Sequence, residues 1–178
     1  MTSIVVVYHS GYGHTQRVAE YVAQGAHASL ITIDADGNLT PEQWLQLDAA
    51  QAIIMGSPTY MGGCSWQFKK FADASSKRWF AQTWKDKLAG GFTISANPSG
   101  DKLSTLQYMV TLAMQQGMLW VGQPALNDGS VNRLGSHTGV MAQVGPTSPA
   151  SDIPAGDLET AKQYGARIAA LATQLHKP

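Results

Sequence analysis

Six consecutive residues, Ser10-Gly11-Tyr12-Gly13-His14-Thr15, place two glycines, two hydroxyls and a histidine directly after the apolar run Ile4-Val5-Val6-Val7. An amphipathic stretch follows them. A phosphate at such a strand-to-helix junction meets unpaired N–H groups and the positive end of a helix dipole. Gly11 and Gly13 let the backbone curl round an anion, and the Ser10 and Thr15 hydroxyls add donors. The segment lacks the Gly-Lys-Ser/Thr of a nucleotide-triphosphate loop, and Gln16 stands where a dinucleotide fingerprint needs its third glycine. Two further segments share this character: Ser57-Pro58-Thr59-Tyr60-Met61-Gly62-Gly63 and Ser95-Ala96-Asn97-Pro98-Ser99-Gly100. None of the three carries lysine or arginine. The ligand is therefore expected to be held by backbone N–H groups, hydroxyls and amides.

The elements that must position these loops alternate regularly. Ser3 to Tyr8, Leu30 to Ile33, Ala52 to Gly56, Leu88 to Ser95 and Met118 to Gly122 read as five short apolar strands. Their lack of in–out alternation suits a sheet covered on both faces. Helices are expected from about Gly13 to Ala26, Thr40 to Leu47, Ser65 to Ser75, Leu103 to Gln116 and Gly156 to His176. Thr40-Pro41 reads as an N-cap followed by proline at the first helical position. Gly25 is expected to weaken the end of the first helix, and Asp101 to cap the fourth. Residues 123–138 read as irregular, Val140 to Val144 as a further extended piece, and Pro146 to Pro154 as a loop. Alternating strands and helices define an α/β domain over residues 1–178, a three-layer α/β/α sandwich on a parallel sheet. In such a sheet, ligands bind at the carboxyl ends of the strands.

Composition narrows the function. With 178 residues, 44% hydrophobic and 13% charged, the chain has material for one core. A formal net charge of zero supplies no surplus for nucleic acid, and no basic run or apolar stretch suggests a membrane. The start of the chain reads as a strand and not as a signal peptide. Together with a single cysteine, Cys64, this leads to the expectation of a cytoplasmic protein. Cys64 reads as an inert small residue, His9 and His137 as structural or exposed, and no metal site is expected.

Taken together, Tyr12-Gly13-His14, Gly56-Ser57-Pro58-Thr59 and the 95–100 loop resemble flavodoxin-like flavoproteins, most of all the WrbA-type NAD(P)H:quinone oxidoreductases. The likeness runs through nearly the whole chain. It implies a flavodoxin-like fold with five parallel strands in the order 2-1-3-4-5. It also implies FMN, with its phosphate on Ser10, Gly11, Tyr12, Gly13, His14 and Thr15. The ring would lie along Pro58, Thr59, Tyr60, Met61 and Gly62 and against Ser95, Ala96, Asn97 and Gly100. Trp79 and Gln116 are the substrate-side candidates the likeness implies. Three departures stand out. Tyr60-Met61-Gly62 replaces a common Arg-Phe-Gly, Gln116 replaces a histidine, and Gly135 to Gly139 matches the family's glycine-rich segment poorly.

The resemblance implies an enzyme that takes hydride from NAD(P)H and passes it to a quinone-type small molecule, with no obligatory side-chain base. It also implies a homodimer or homotetramer, for which exposed aromatics at Trp79, Phe80 and Trp84 would serve as contacts. Two other classes stay open: a one-electron carrier, which the balanced charge disfavours, and a module that holds FMN without turnover.

Overall fold

The computed structural model describes residues 3–175. Its elements run β1 Ile4–Tyr8, α1 His14–Ala26, β2 Ser29–Thr32, α2 Pro41–Ala49, β3 Ala52–Tyr60, β4 Gly63–Cys64, α3 Trp66–Ala74, α4 Ser76–Phe80, β5 Leu88–Ser95, α5 Lys102–Gln115, β6 Leu119–Trp120, β7 Val140–Gln143 and α6 Ala155–Leu175. His176, the expected end of the last helix, lies outside the described residues. The short helix α4 was not anticipated.

The sheet order corrects the five-strand expectation. The described residues form seven strands, and the path is β2-β1-β3-β5-β6. The first four positions follow the expected 2-1-3-4 sequence of strands. The fifth is divided: β6 pairs in parallel with Leu88 and Ala89, and β7 pairs in parallel with Phe92 to Ser95. Between them residues 122–139 leave the sheet and return. Gly139 marks the re-entry, where a Cβ would stand 2.4 Å from the Gly91 carbonyl oxygen. The extra strand β4 folds back on the end of β3 in antiparallel pairing, Thr59 opposite Cys64 and Tyr60 opposite Gly63.

Strand alternation sorts the core into two layers. Ile4, Val6 and Tyr8 join Val18, Val22, Tyr164 and Ile168 under α1 and α6. Val5 and Val7 join Leu47, Phe68, Phe71, Leu106 and Met109 under α2, α3 and α5. Each such apolar side chain withdrawn from water contributes about 1.5–3 kcal/mol. Helix α1 runs through Gly25 to Ala26, and Gly25 has a packing role that the sequence did not show. A Cβ there would lie 1.9 Å from the Lys162 carbonyl oxygen, and one on Gly165 would lie 2.1 Å from that of Val22. The two glycines let α1 and α6 cross backbone to backbone, which holds the amino-terminal crossover helix in place.

Helix starts differ in a way that bears on the site. Thr40 and Gln43 form a full capping box at α2, and Ser65 Oγ accepts from Phe68 N–H at α3. The starts of α1 and α5 have no side-chain cap. Asp101 sits at the N-cap position of α5, but in a left-handed conformation with φ 52° and without the expected capping bond.

Candidate functional site

The uncapped start of α1 opens on a cavity at the carboxyl edge of the sheet. Tyr12, His14, Thr15, Pro58, Thr59, Tyr60, Ser95 and Ala96 line it, together with Ile94, Val144 and Pro146. The cavity thus gathers residues from all three loops singled out in the sequence. Gly13, the N-cap residue, has φ 84°, a left-handed geometry that costs glycine nothing. It turns the chain so that the His14 and Thr15 N–H groups, which have no intrahelical acceptor, are left available. Gly11 lies beneath the Tyr60 hydroxyl, 2.7 Å from where a Cβ would be. Ser10 Oγ accepts from Gln16 N–H at 3.1 Å, and His14 Nε2 stands 2.7 Å from the Ser148 carbonyl oxygen. His14 is thereby tied to the loop after β7, which the sequence reading left out of the site. The signal was there: an extended piece at Val140 to Val144, once parallel to its neighbours, must deliver its end to this same edge.

The second loop is braced from behind. Thr59 Oγ1 lies 2.8 Å from both Thr93 Oγ1 and Thr105 Oγ1. Ser57 Oγ accepts from Ser65 N–H at 3.0 Å. In front, Tyr12 and Tyr60 meet edge to face with centroids 6.3 Å apart. Met61 is fully exposed with φ 46°, and Gly62 follows at φ 78°. Tyr12 and Tyr60, which line the cavity, and the exposed Met61 next to Tyr60 therefore form an apolar lip at its mouth. Burial, with Tyr12 close by, holds the Tyr60 phenol above its ordinary pKa.

Beneath the third loop lies a charged network that the absence of lysine and arginine from the loop itself concealed. Lys102, 0% exposed, donates to Ser95 Oγ at 2.8 Å and to the Asn97 carbonyl at 2.6 Å. Gly100 packs against Ser95, whose Oγ would be 2.0 Å from a Cβ there. Arg133 Nη2 donates to Asp157 Oδ2 at 2.9 Å, and Gln143 bridges Asp157 to the Ala96 carbonyl through its N–H and Nε2. Burial pushes the Lys102 ammonium down to about 8, against the opposing pull of Asp157. A lysine in the first turn of a helix opposes the dipole, and that mismatch was the clue available in the sequence.

Trp79 and Gln116 do not join the cavity. Both lie at the opposite, amino-terminal edge of the sheet, where α4 leads into β5 and α5 leads into β6, and they line a separate shallow groove together. Gln116 is buried, and its Nε2 donates to Ser75 Oγ at 2.8 Å. Its Nε2 joins α5 to the end of α3, and its buried Oε1 has no partner. Trp79 and Phe80 are exposed, but Trp84 is buried, with its indole N–H on Asp48 at 2.9 Å. Cys64 is largely enclosed, and burial pushes its thiol up to about 12, well away from nucleophilic use. His9 is buried with Nδ1 unpartnered, and burial lowers its pKa. Among the described residues, no cluster of three or more His, Cys, Asp or Glu is placed to hold a metal ion, and no helix is long and apolar enough to cross a membrane.

A doubly wound parallel sheet with this cavity at the carboxyl edge defines a flavodoxin-like α/β protein. Residues 5–124 match the pattern of a flavodoxin domain, and the chain belongs to that family. It is similar to flavodoxin FldP of Pseudomonas aeruginosa (strain UCBPP-PA14), 51% identical over 183 residues that span 99% of this chain and 100% of the relative. A solved structure described as the flavodoxin, WrbA-like protein from Agrobacterium tumefaciens is 55% identical, with a TM-score of 0.84 over 99% of this chain and 100% of that one. An NAD(P)H dehydrogenase (quinone) of Archaeoglobus fulgidus is 30% identical across 98% of this chain and 100% of its own length.

Proposed function

We propose that this protein is an FMN-dependent oxidoreductase that accepts electrons from NAD(P)H and passes them to a quinone-type small molecule. The observation that carries the reading is the helix start left open at Gly13: α2 and α3 are closed by their N-cap side chains, while at α1 only Gln16 N–H is met, by Ser10 Oγ, and the N–H groups before it face a cavity shared by three polar loops. The residues fit the group. The cavity encloses about 210 Å³, less than the roughly 300–1,000 Å³ that encloses a drug-sized ligand whole. It suits the inner part of a ligand whose flat ring lies between the 58–62 and 95–100 loops with one edge at the open mouth.

In this reading the N–H groups of Tyr12 to Thr15 and the Thr15 hydroxyl hold the phosphate, with the α1 dipole favouring its charge. Pro58, Thr59 and Tyr60 set one wall and Ser95 and Ala96 the other. When bound, FMN supplies a ring that takes up and returns electrons. The chain's own part is to bind and orient it, and the threonine triad keeps the second wall rigid. Tyr60 and Met61 leave the outer face open for a planar donor or acceptor. Names of relatives such as the Archaeoglobus dehydrogenase support the nicotinamide and quinone roles.

A second reading, a one-electron carrier, is favoured by the flavodoxin names of relatives sharing half or more of the sequence and by the distance of Trp79 and Gln116 from the cavity. Anaerobic mixing of the FMN-loaded protein with NADH or NADPH separates the two. Loss of the yellow flavin absorbance followed by benzoquinone-dependent turnover is expected. Absorbance that survives both nucleotides but yields to a one-electron photoreductant would replace the first reading with the second. Lack of any FMN affinity in the folded protein would end both.

A further inference from the structure

We propose that Lys102 is a positioning residue for redox tuning: its buried ammonium, bonded to the cavity wall through Ser95, offsets the negative charge that a bound flavin gains on reduction. The inference rests on the FMN reading above and deepens it. Lys102 is the one cation that bonds directly to a residue lining the cavity, among the described residues. Its neighbours do not cancel it. Asp157 is paired with Arg133, so its pull on the ammonium is offset in part, and the Asn97 partner is a carbonyl. Elsewhere around the cavity His14 is engaged with a backbone carbonyl, and Arg17 pairs outward with Glu20.

The position is unfavourable twice over. A fully buried lysine loses its hydration, and at the start of α5 it faces the positive end of the helix. Groups kept in such places near a cavity are where functional charge is found. A neutral donor could hold Ser95 Oγ and the Asn97 carbonyl equally well, so bracing the loop does not by itself call for an ammonium. Oxidised FMN taking up two electrons and one proton gains one negative charge on the ring. A fixed cation one hydrogen bond behind the wall, itself buried where charge is weakly screened, favours that state.

The test is a spectroelectrochemical titration of the FMN-loaded wild type, Lys102→Met, Lys102→Gln and Lys102→Arg, with dithionite as reductant. Affinity for oxidised FMN is measured in parallel by fluorescence quenching. Lys102→Met and Lys102→Gln are expected to bind oxidised FMN within a few-fold of wild type. They should bind reduced FMN at least tenfold less tightly relative to oxidised, which lowers a two-electron potential by about 30 mV. Lys102→Arg should recover most of the wild-type potential. Should Lys102→Met fail to fold, the neutral Lys102→Gln, which keeps donors for both oxygens, carries the comparison. A wild-type potential in either neutral variant overturns the inference while leaving the FMN reading intact. Absence of FMN binding by wild type itself overturns the FMN reading instead.

Discussion

The loop at the start of α1 and the loop at the start of α5 face one cavity but are built oppositely. Residues 10–15 are neutral, run from the exposed Tyr12 to the buried Thr15, and rest on little more than one hydroxyl cap and one histidine contact. Residues 95–100 sit on a buried lysine, a largely buried ion pair and a bridging glutamine. The difference teaches that anion capture needs only geometry, since backbone N–H groups come free with any helix start. Control of charge inside the protein needs side chains whose own burial must be compensated. The first loop is therefore expected to govern affinity, and the network under the third to govern stability and potential.

The largest effect should come from breaking that network. Arg133→Met leaves the Asp157 carboxylate, 1% exposed, without its guanidinium. Removing one member of a buried pair costs about 3–5 kcal/mol. Urea denaturation should show a loss near the lower end, because the Gln143 N–H still reaches Asp157. As a yardstick, Lys69→Ala removes an exposed pair with Asp73 and should cost no more than about 0.5 kcal/mol. Equal losses would mean that the pair under the third loop is solvated, and the contrast between the loops would fail.

The next largest effect is a pH dependence. Lys102 is held near 8 in the folded chain against an ordinary 10.5. Between those values the unfolded chain binds more protons than the folded one, so stability from this group rises with pH from about 8 and is complete above 10.5. Below 8 the folded protein carries a buried charge at its full cost. The difference in unfolding free energy between Lys102→Met and wild type should therefore be greatest at pH 7–8, favouring the variant, and shrink towards pH 10.5. A difference that stays flat across that range would show the ammonium to be well hydrated.

How much of this was legible follows from what each loop is made of. The first loop announced itself because glycine and hydroxyl spacing is a local property, and Tyr12, His14, Thr15, Pro58, Thr59, Tyr60, Ser95 and Ala96 all meet where strand order says they should. Strand and helix alternation carried the parallel sheet for the same reason. The division of the fifth strand was not legible, since Leu119–Trp120 and Val140–Gln143 share one sheet position only through long-range pairing with β5. Lys102 was passed over because it follows the loop instead of lying in it. Trp79 and Gln116 were carried by likeness alone, and the direction in which α5 runs takes Gln116 to the amino-terminal edge of the sheet, away from the cavity. Gly25 read only as a weak point near the helix end because its reason, the backbone of α6 at Lys162, is remote in sequence.

On the first loop, Gly13→Ala isolates conformation from packing. A Cβ at Gly13 meets nothing within 4 Å, yet φ is 84°. The cost is then the left-handed penalty alone, about 1–2 kcal/mol. The chain can relieve it by turning away from the geometry that aims the N–H groups, so FMN affinity should fall by roughly tenfold, since 1.4 kcal/mol is one decade. The flavin potential should stay where it is. A shift in potential without loss of affinity would reverse the assignment of roles to the two loops.

Thr40→Ala supplies the smallest effect and the control that gives Gly13→Ala its meaning. Thr40 caps α2 by accepting from Gln43 N–H at 3.3 Å, while Gln43 Oε1 accepts from Thr40 N–H at 2.8 Å. Losing the hydroxyl should cost about 1 kcal/mol, close to the stability cost of Gly13→Ala. Thr40 does not line the cavity, however, so calorimetry should return an unchanged FMN affinity. Two variants of similar instability, at two helix starts on the same edge of the sheet, would then differ only in ligand binding. If Thr40→Ala weakened FMN as much as Gly13→Ala, general loosening would account for both, and the open helix start would lose its claim to the phosphate.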